Sequence, residues 1–356
     1  AQGVHQMGYA TFARLVAQSS LIDGVVIAVT ARRAAFLEND LPKLKELKKD
    51  SRKPIFMWTY TLPADRSVEI LNEAGYPLFI SALGCARTMR AMADYRSLRD
   101  RALKRPQASA VPQPGHAKVR AALADVGMVV SEWRARPLLN AYGIGGNVGV
   151  LARSGEEAEA AAKAIGRPVA LKVQSADIPH KTEADAVALN VGVDGARVAH
   201  ERVLASARRY APQAQIEGVL VQAMAAAGRE VIVGINRDQR WGPQLMVGLG
   251  GALVEAMRDV VLAPVPLDRD AALALLGRLK GAAVLGPYRG MPAADTEALA
   301  DLMAKLSQFA FDHADEIAEV DLNPVIVYGK GDGVTVVDAL IVKRTAQQAN
   351  RSTAAE

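Results

Sequence analysis

The chain has 356 residues, of which 50% are hydrophobic and 23% are charged, a composition typical of a soluble α/β protein with two or three domain cores. The 43 Lys and Arg against 38 Asp and Glu give a net charge of +5, which suits anionic ligands such as nucleotides. The two signs are too mixed for a nucleic-acid-binding stripe, and 5% aromatic residues provide few platforms for stacking bases.

Cysteine content and the length of apolar runs narrow the class further. The single cysteine, Cys85, excludes an intramolecular disulfide and a multi-cysteine metal cluster. No apolar run approaches the ~18 residues that span a bilayer, and the first residues lack the basic-then-apolar order of a signal peptide. We therefore expect a cytoplasmic protein that binds neither membrane nor nucleic acid. The chain lacks an initiator methionine, so we expect that processing or truncation removed upstream sequence.

The first hundred residues alternate between apolar runs and segments with helical spacing. The expected strands are residues 22–30, 53–60 and 76–80, and the expected helices are residues 8–19, 36–50, 67–74 and 85–103. Strands that alternate with helices in this way imply a parallel sheet with helices on its faces. Because only three such strands are present, we interpret residues 1–103 as part of a doubly wound domain.

Residues 104–116 contain three prolines and no apolar periodicity, which is typical of an extended interdomain linker. A second domain follows over residues 117–345, and residues 346–356 form a tail. The expected helices of this domain are residues 117–126, 132–142, 156–165 and 197–209, and its expected strands are residues 169–173, 187–191, 219–224, 229–237, 319–327 and 334–342.

The most informative stretch is a hairpin with a polar, exposed connecting loop between residues 169–173 and 187–191. The first strand carries Lys172, whose compact ammonium suits the oxygens of a triphosphate. Eight residues later the loop presents His180, an imidazole that can attack a phosphoryl group and later surrender it. The alternatives are that His180 is solvated loop surface and that Lys172 protects a sheet edge.

The next two strands offer groups for the rest of a nucleotide. A base can lie flat between residues 219–224, which carry Gln222 and Met224, and the strand that Glu230 begins. We expect ATP between the Lys172 strand and residues 219–224. Glu230 accepts hydrogen bonds from ribose hydroxyls, or is an exposed strand charge. The amides of Gly250 and Gly251 approach phosphate closely, or the glycine pair marks a tight turn; these candidates come from the segments VLVQAM, REVIVGINR and VGLGG.

The last informative segments are EVDLNPVIV and VTVVDALIV, which carry Asp321, Asn323 and Asp338. Hard oxygen ligands of this kind suit Mg²⁺, which is bound by one or two protein groups together with nucleotide phosphates. The alternative is that Asn-Pro serves a turn and that the aspartates are ordinary strand residues.

From about residue 117 to residue 343 the chain resembles the ATP-grasp domain of the ADP-forming (NDP-forming) acyl-CoA synthetases, relatives of succinyl-CoA synthetase. Six motifs in one order carry the resemblance: VALKVQSADIPHKTEADAV, GVLVQAM, GREVIVGINRDQRWGPQLMVGLGG with Glu255, LGPYRG, EVDLNP and VVDAL. The first hundred residues resemble the last flavodoxin-like part of the family's CoA-ligase region, through KPIFMWTYTLPADRSVEILNEAGYPLFIS and MADYRSLRDR.

The resemblance implies an α/β fold in which a partial flavodoxin-like parallel-sheet domain precedes an ATP-grasp domain. It also implies that ATP phosphorylates a histidine, that the phosphoryl group passes to a carboxylic acid, and that CoA displaces phosphate to leave a thioester. On this resemblance the carrier is His180, and the histidine loop moves between distant sites. Lys172 binds phosphate, Asn323 and Asp338 hold magnesium, and Asp321 is the neighbouring acidic residue.

The sequence departs from the family pattern at several points. Asp185 and Ala186 replace a glycine pair after the HK motif, and Ala223 replaces an acidic residue after the hinge glutamine. The CoA-binding domain and the serine-histidine-threonine-glycine motif have no counterpart in the chain. We therefore expect either a fragment of a longer polypeptide or a subunit, in an oligomer, whose missing domains come from a partner chain.

Two other functions stay open from the residues alone. An ATP-grasp carboxylate-amine ligase shares Lys172 and the magnesium ligands but needs no histidine carrier, and a non-catalytic nucleotide-binding subunit binds ATP without turnover. The carboxylic acid stays open among acetate, branched acids and aryl acids, and the nucleotide stays open between ATP and GTP.

Overall fold

The computed structural model describes residues 8–104, 115–251, 259–288 and 290–345. The chain divides into two compact units, residues 1–107 and 108–356. Most of the predicted linker, the predicted tail and the motif residue Glu255 lie outside the described residues. Within the described part, no helix is long and apolar enough to cross a membrane.

The first unit contains a three-stranded parallel sheet in the order β1-β2-β3, as the strand and helix alternation predicted. Its strands are β1 (Val25–Val29), β2 (Ile55–Thr59) and β3 (Leu78–Phe79), and its helices are α1 (Tyr9–Ala17), α2 (Ala35–Asp50), α3 (Asp65–Glu73) and α4 (Ala82–Lys104). Leu37 and Leu44 of α2 and Met57 of β2 belong to the hydrophobic core of this unit. Alternate side chains of β1 are exposed, so this strand is less buried than its continuous apolar run predicted.

The second unit begins with helix α5 (His116–Ala124), strand β4 (Val129–Val130) and helix α6 (Glu132–Asn140). Lys104 belongs to α4 and His116 begins α5, although we predicted both residues to be in the linker.

A four-stranded antiparallel sheet in the order β5-β8-β6-β7 follows. It consists of β5 (Gly149–Ala152), β6 (Val169–Gln174), β7 (Val187–Val191) and β8 (Gly218–Ala223), with α7 (Gly155–Ile165) and α8 (Ala196–Tyr210) on one face. Ser154 caps α7 by accepting from the Glu157 amide, and Gly166 ends it at φ 68°, a left-handed conformation that favours glycine. We call this sheet the small sheet.

The large sheet runs in the order β11-β10-β9-β12-β14-β4, with β13 paired to β12. Its other strands are β9 (Arg229–Asp238), β10 (Gly242–Leu249), β11 (Val260–Pro264), β12 (Ile317–Val327), β13 (Val334–Val336) and β14 (Ala339–Lys343), and helices α9 (Arg269–Leu276) and α10 (Thr296–Asp312) lie in the same unit. Val233, Val320 and Phe309 meet in the core between this sheet and its helices. Of the elements of the second unit, β4, β5, β10, β11, α9 and α10 were not predicted.

The predicted strand over residues 334–342 is wrong, because two strands replace it. Val337 and Asp338 separate β13 from β14, which leaves the carbonyl of Val337 and the side chain of Asp338 available to groups outside the sheet. The hairpin formed by β6 and β7, by contrast, is confirmed.

Candidate active site

The small sheet has one apolar face and one polar face, because strand side chains alternate. Leu171, Val173 and Val221 pack against α7 and α8. In the antiparallel register Ala170 lies opposite Gln222, so Lys172 and Gln222 share the other face. Lys172 lies on a strand paired on both sides and is only 4% exposed. The interpretation of Lys172 as an edge-protecting charge is therefore wrong.

The amino group of Lys172 converges with Gln222 on the break between β13 and β14. Lys172 Nζ donates to the Val337 carbonyl at 2.9 Å, and Gln222 Nε2 donates to the same oxygen at 3.3 Å. Lys172 Nζ also lies 3.9 Å from an Asp338 carboxylate oxygen. Two predicted ligand-binding residues of the small sheet thus meet the break between β13 and β14, and one of them, Lys172, lies near the predicted metal ligand Asp338.

Glu132, at the first position of α6, is a site residue that the sequence did not reveal. It is 1% exposed and accepts from Lys172 Nζ at 3.3 Å and from Arg136 Nη2 at 2.7 Å. Burial raises the pKa of the Glu132 carboxyl, and Lys172 opposes that shift. The available signal was the Glu-Arg pair at i, i+4 spacing, which places both side chains on one helix face.

Arg136 extends this network to the hinge. Its guanidinium donates to Gln222 Oε1 and to the Asn147 carbonyl, and the side-chain amide of Asn147 donates to the Ala223 carbonyl at 3.0 Å. These contacts fix the end of β8 where the sequence placed a base-binding hinge. Met224 follows, with its amide donating to Pro168 O at 3.0 Å and its sulfur 3.4 Å from the Asn190 amide.

Asp338 forms a second ion pair of the site, with Lys181. Its two carboxylate oxygens lie 3.0 and 2.9 Å from Lys181 Nζ. Burial by itself raises the pKa of Asp338, but the ammonium groups of Lys172 and Lys181 outweigh it and hold that pKa below its ordinary value. Lys181 is buried, so the expectation of a fully exposed histidine loop is wrong at this residue.

His180 is exposed, next to buried Lys181. The loop around it is closed by backbone bonds from Ala186 N to Lys181 O and from Asp185 N to Thr182 O. Asp185 adopts φ 47°, a left-handed conformation in which glycine is more favourable, at a position where the family pattern has glycine.

Val320 and Leu322 point to the core. Because side chains alternate along a strand, Asp321 and Asn323 lie on the opposite, open face of β12. The backbone N–H of Asn323 donates to the backbone carbonyl of Asp338 at 3.2 Å. This bond brings the predicted magnesium ligands together. Burial, followed by the nearby charges of Glu319 and Asp338, raises the pKa of Asp321, while His180 acts in the opposite direction.

The oxygen groups of Asp321, Asn323 and Asp338 fit a divalent cation. Two carboxylates and an amide at one edge form the hard donor set that Mg²⁺ prefers, with water and phosphate completing its shell. The described residues contain no group of three or more His, Cys, Asp or Glu side chains that could hold a metal, so the predicted ligand set depends on the amide oxygen of Asn323.

Glu230, Gly250 and Gly251 form a separate group at the shared end of β9 and β10. The Glu230 carbonyl accepts from the Gly250 amide at 2.6 Å, and a Cβ at Gly250 would lie 2.7 Å from Glu230 Cβ. This close approach requires glycine. Glu230 lies opposite Ile326 on β12, a few residues beyond Asn323, and its side chain is exposed.

The predicted position of ATP between the Lys172 strand and residues 219–224 is wrong in its geometry. Strands β6 and β8 are hydrogen-bonded neighbours, with Lys172 opposite Leu220. A ligand therefore has no space between these two strands.

Comparison with known proteins identifies this arrangement. A model of the ATP-grasp domain family matches residues 121–342. Subunit beta of the ADP-forming acetate–CoA ligase II of Pyrococcus furiosus is 40% identical over 212 residues, which are 59% of this chain and 90% of that subunit. The chain belongs to the ADP-forming acyl-CoA ligases. The predicted family is thereby confirmed.

Other members of the ADP-forming acyl-CoA ligases match more of the chain. The ADP-forming acetate–CoA ligase I of Archaeoglobus fulgidus is 36% identical over 272 residues, or 76% of this chain, but the chain spans only 39% of that relative's length. A structure of dinucleotide-forming acetyl-coenzyme A synthetase 1 from Ca. Korarchaeum cryptofilum superposes with a TM-score of 0.55 at 33% identity, over 65% of this chain and 100% of that one. That protein was in complex with coenzyme A and Mg-AMPPCP, with its phosphohistidine segment pointing towards the nucleotide-binding site.

The predicted fold class is also confirmed. A parallel three-stranded sheet precedes an ATP-grasp domain in this member of the ADP-forming acyl-CoA ligases. The roles of individual site residues stay predictions.

Proposed function

We propose that this chain is the ATP-binding portion of an ADP-forming acid–CoA ligase, which converts a carboxylic acid, CoA and ATP into acyl-CoA, ADP and phosphate. The observation that carries the proposal is the meeting of buried Lys172 with Asp338 at the break between β13 and β14. The ammonium of Lys172, which would bind phosphate, and the carboxylate of Asp338, which would bind metal, lie in contact there. Both residues belong to the segment that matches the ATP-grasp domain family.

ATP would lie over the polar face of the small sheet, with its phosphates towards Lys172. The ammonium already points at an oxygen acceptor, the Val337 carbonyl at 2.9 Å, and phosphate oxygens replace such an acceptor readily. Gln222 and Met224 would contact the base, Glu230 the ribose, and the amides of Gly250 and Gly251 the phosphates. The related synthetase structure contains Mg-AMPPCP, which supports this use of the fold.

Asn323 and Asp338, with Asp321 beside them, would hold the magnesium that accompanies the nucleotide. When bound, magnesium supplies positive charge against the phosphate oxygens. The residues of the chain position the reactants: Lys172 neutralises phosphate, and Glu132 with Arg136 fixes the Lys172 side chain from behind.

His180 would carry the phosphoryl group. A ring nitrogen uses its lone pair to attack the terminal phosphorus, the bond from that phosphorus to the bridging oxygen breaks, and ADP leaves with the electron pair. A carboxylate oxygen of the acid then takes the phosphoryl group from His180 to give an acyl phosphate. The CoA sulfur finally attacks the acyl carbon, and phosphate leaves.

The acid and CoA sites belong to the part of the ligase that this chain does not match. The match to a beta subunit supports a partner subunit, or further domains in the same polypeptide, that bind the acid and CoA. We also propose an oligomeric enzyme in the cytoplasm.

The test is to incubate the chain and its partner domains with ATP labelled at the terminal phosphate. We expect acid-labile, base-stable label on the peptide that contains His180, no such label in His180→Ala, and unchanged ATP binding by calorimetry in both proteins. Thr182→Ala, at an exposed position of the same loop, is the matched control and should be labelled like the wild type.

Three outcomes would contradict the proposal. Label at the wild-type level in His180→Ala would place the carrier elsewhere. Amide synthesis from an acid and an amine without protein label would identify a carboxylate-amine ligase. ATP binding without label or turnover would identify a non-catalytic nucleotide-binding module.

A further inference from the structure

We propose that the Lys181–Asp338 ion pair is a latch that holds the His180 loop, and that magnesium–nucleotide releases it by taking Asp338. Lys181 is then a positioning residue for phosphoryl transfer. This inference rests on the proposed function, because it assigns Asp338 to the metal site.

The ion pair bridges the two sheets of the second unit. Lys181 belongs to the loop between β6 and β7 of the small sheet, and Asp338 lies between β13 and β14 at the large sheet. Both carboxylate oxygens are within 3.0 Å of Lys181 Nζ. The lysine side chain is 8% exposed and that of the aspartate 28%, so water screens this pair less than an exposed one.

The other anchors of the loop keep it on the small sheet and its helices. Asp177 accepts from the Gln215 amide at 2.8 Å, and Asp185 accepts from the Ser206 hydroxyl at 3.1 Å. The side chain of Lys181, by contrast, joins this loop to the large sheet through Asp338. Because His180 is covalently next to Lys181, the ion pair fixes where the imidazole can reach.

A magnesium ion and the Lys181 ammonium cannot share Asp338 at these distances. An ammonium within 3.0 Å of both oxygens occupies the directions from which a dication would approach, and two cations so close repel each other. Lysine holds Asp338 as a point charge on a flexible stem, which can withdraw without rearranging a fixed hydrogen-bonding geometry. Metal binding at Asp338 therefore frees Lys181, and the adjacent His180 becomes free to move.

Hydrogen–deuterium exchange of residues 176–186 in the full chain measures this latch directly. We would compare wild type with Lys181→Met, without ligand and with magnesium plus AMPPCP. Lys163→Met is the matched control. It removes an ion pair to Glu159 on the outer surface of α7, where the lysine side chain is 60% exposed. Lys181→Arg, which keeps a cation, tests rescue.

We expect the loop amides of Lys181→Met to exchange about tenfold faster than those of wild type without ligand, since a charge-assisted contact is lost. Magnesium plus AMPPCP should speed exchange in wild type towards that of Lys181→Met and leave Lys181→Met unchanged. Lys163→Met should behave as wild type, and Lys181→Arg should restore slow exchange. Unchanged exchange of β8 residues in every variant shows that the fold is kept.

The latch is wrong if Lys181→Met exchanges at the wild-type rate without ligand, or if bound nucleotide slows or does not alter the wild-type loop. Calorimetry of AMPPCP on the same samples separates this failure from that of the proposed function. Nucleotide binding with an unresponsive loop overturns the latch alone. Absence of nucleotide binding contradicts the proposed function and the release step, while the ligand-free comparison still decides whether Lys181 holds the loop.

Discussion

The backbone N–H of Asn323 donates to the backbone carbonyl of Asp338 at 3.2 Å. This bond ties the middle of β12 to the break between β13 and β14, so the side chains of Asn323 and Asp338 leave the backbone next to each other. The small sheet brings Lys172 to the same break. The ammonium of Lys172 and the side chains of Asn323 and Asp338 therefore converge from two sheets. If these groups bind phosphate and metal as proposed, replacing either should affect nucleotide binding in a distinct way.

Lys172→Ala should weaken ATP binding by about 1.5 to 3 kcal/mol, the range for a hydrogen bond that involves a charged group. The physical reason is the loss of the ammonium that neutralises phosphate oxygens. Calorimetry measures the affinity, and Lys163→Ala, which removes a lysine from the exposed surface of α7, is the control. Unchanged ATP affinity in Lys172→Ala would remove this residue from the site.

In Asp338→Asn, ATP should need more magnesium to reach its full affinity, while its affinity at saturating magnesium should stay the same. An amide still offers one oxygen but no negative charge, and Mg²⁺ prefers carboxylate oxygen. We expect the magnesium titration of ATP affinity to require about tenfold more metal, since roughly 1.4 kcal/mol corresponds to a factor of ten. An identical titration curve would show that Asp338 is not a metal ligand.

Local sequence patterns were enough to predict the strand of Lys172 and the hairpin that follows it, because the apolar run of residues 169–173 is buried throughout, as expected for a central strand. They were not enough for Glu132, whose burial depends on Lys172, forty positions away in sequence. The same holds for Lys181. A lysine in a polar loop is ordinarily exposed, and only its contact with Asp338, 157 positions away, explains its burial.

The apolar run at residues 334–342 shows a second limit of sequence patterns. It is typical of one continuous strand, yet the chain breaks at Val337 because the carbonyl of Val337 accepts from Lys172 and Gln222 instead of a neighbouring strand. Such a break is decided by groups far away in the sequence. The family resemblance predicts Asp338 as a metal ligand, and the structure adds that Lys181 is paired with it.

Substitutions at Asp185 should separate backbone strain from hydrogen bonding. Asp185 has φ 47° and accepts from the Ser206 hydroxyl at 3.1 Å. Both Asp185→Gly and Asp185→Ala lose this bond, but only glycine relaxes at positive φ, so Asp185→Ala should be less stable than Asp185→Gly by about 1 kcal/mol. Urea unfolding measures the difference, and equal stabilities would show that φ at this position carries no strain.

His313 should make the second unit sensitive to acid. The residue is fully buried at the end of α10, where its Nε2 lies 3.0 Å from the Tyr142 hydroxyl and its ring stacks on His116 at 4.8 Å. Burial, followed by the charge of His116, lowers the pKa of His313 from 6.5 to about 4, although nearby Asp312 opposes the shift. The folded chain therefore holds the neutral imidazole in a pH range where the unfolded chain is protonated.

The sign of the effect follows from this difference in bound protons. Between pH 6.5 and about 4 the unfolded state binds more protons at His313 than the folded state, so stability falls as pH falls through this range. The full loss is roughly 3 kcal/mol, at 1.36 kcal/mol per pKa unit. His313→Gln keeps a polar side chain but does not titrate, and it should remove this part of the pH dependence. Urea unfolding of both proteins across this pH range measures this part of the pH dependence. His200→Gln, which removes another buried histidine whose pKa is lowered by burial, is the comparison. A pH profile of His313→Gln parallel to that of wild type would show that acid sensitivity arises at other groups.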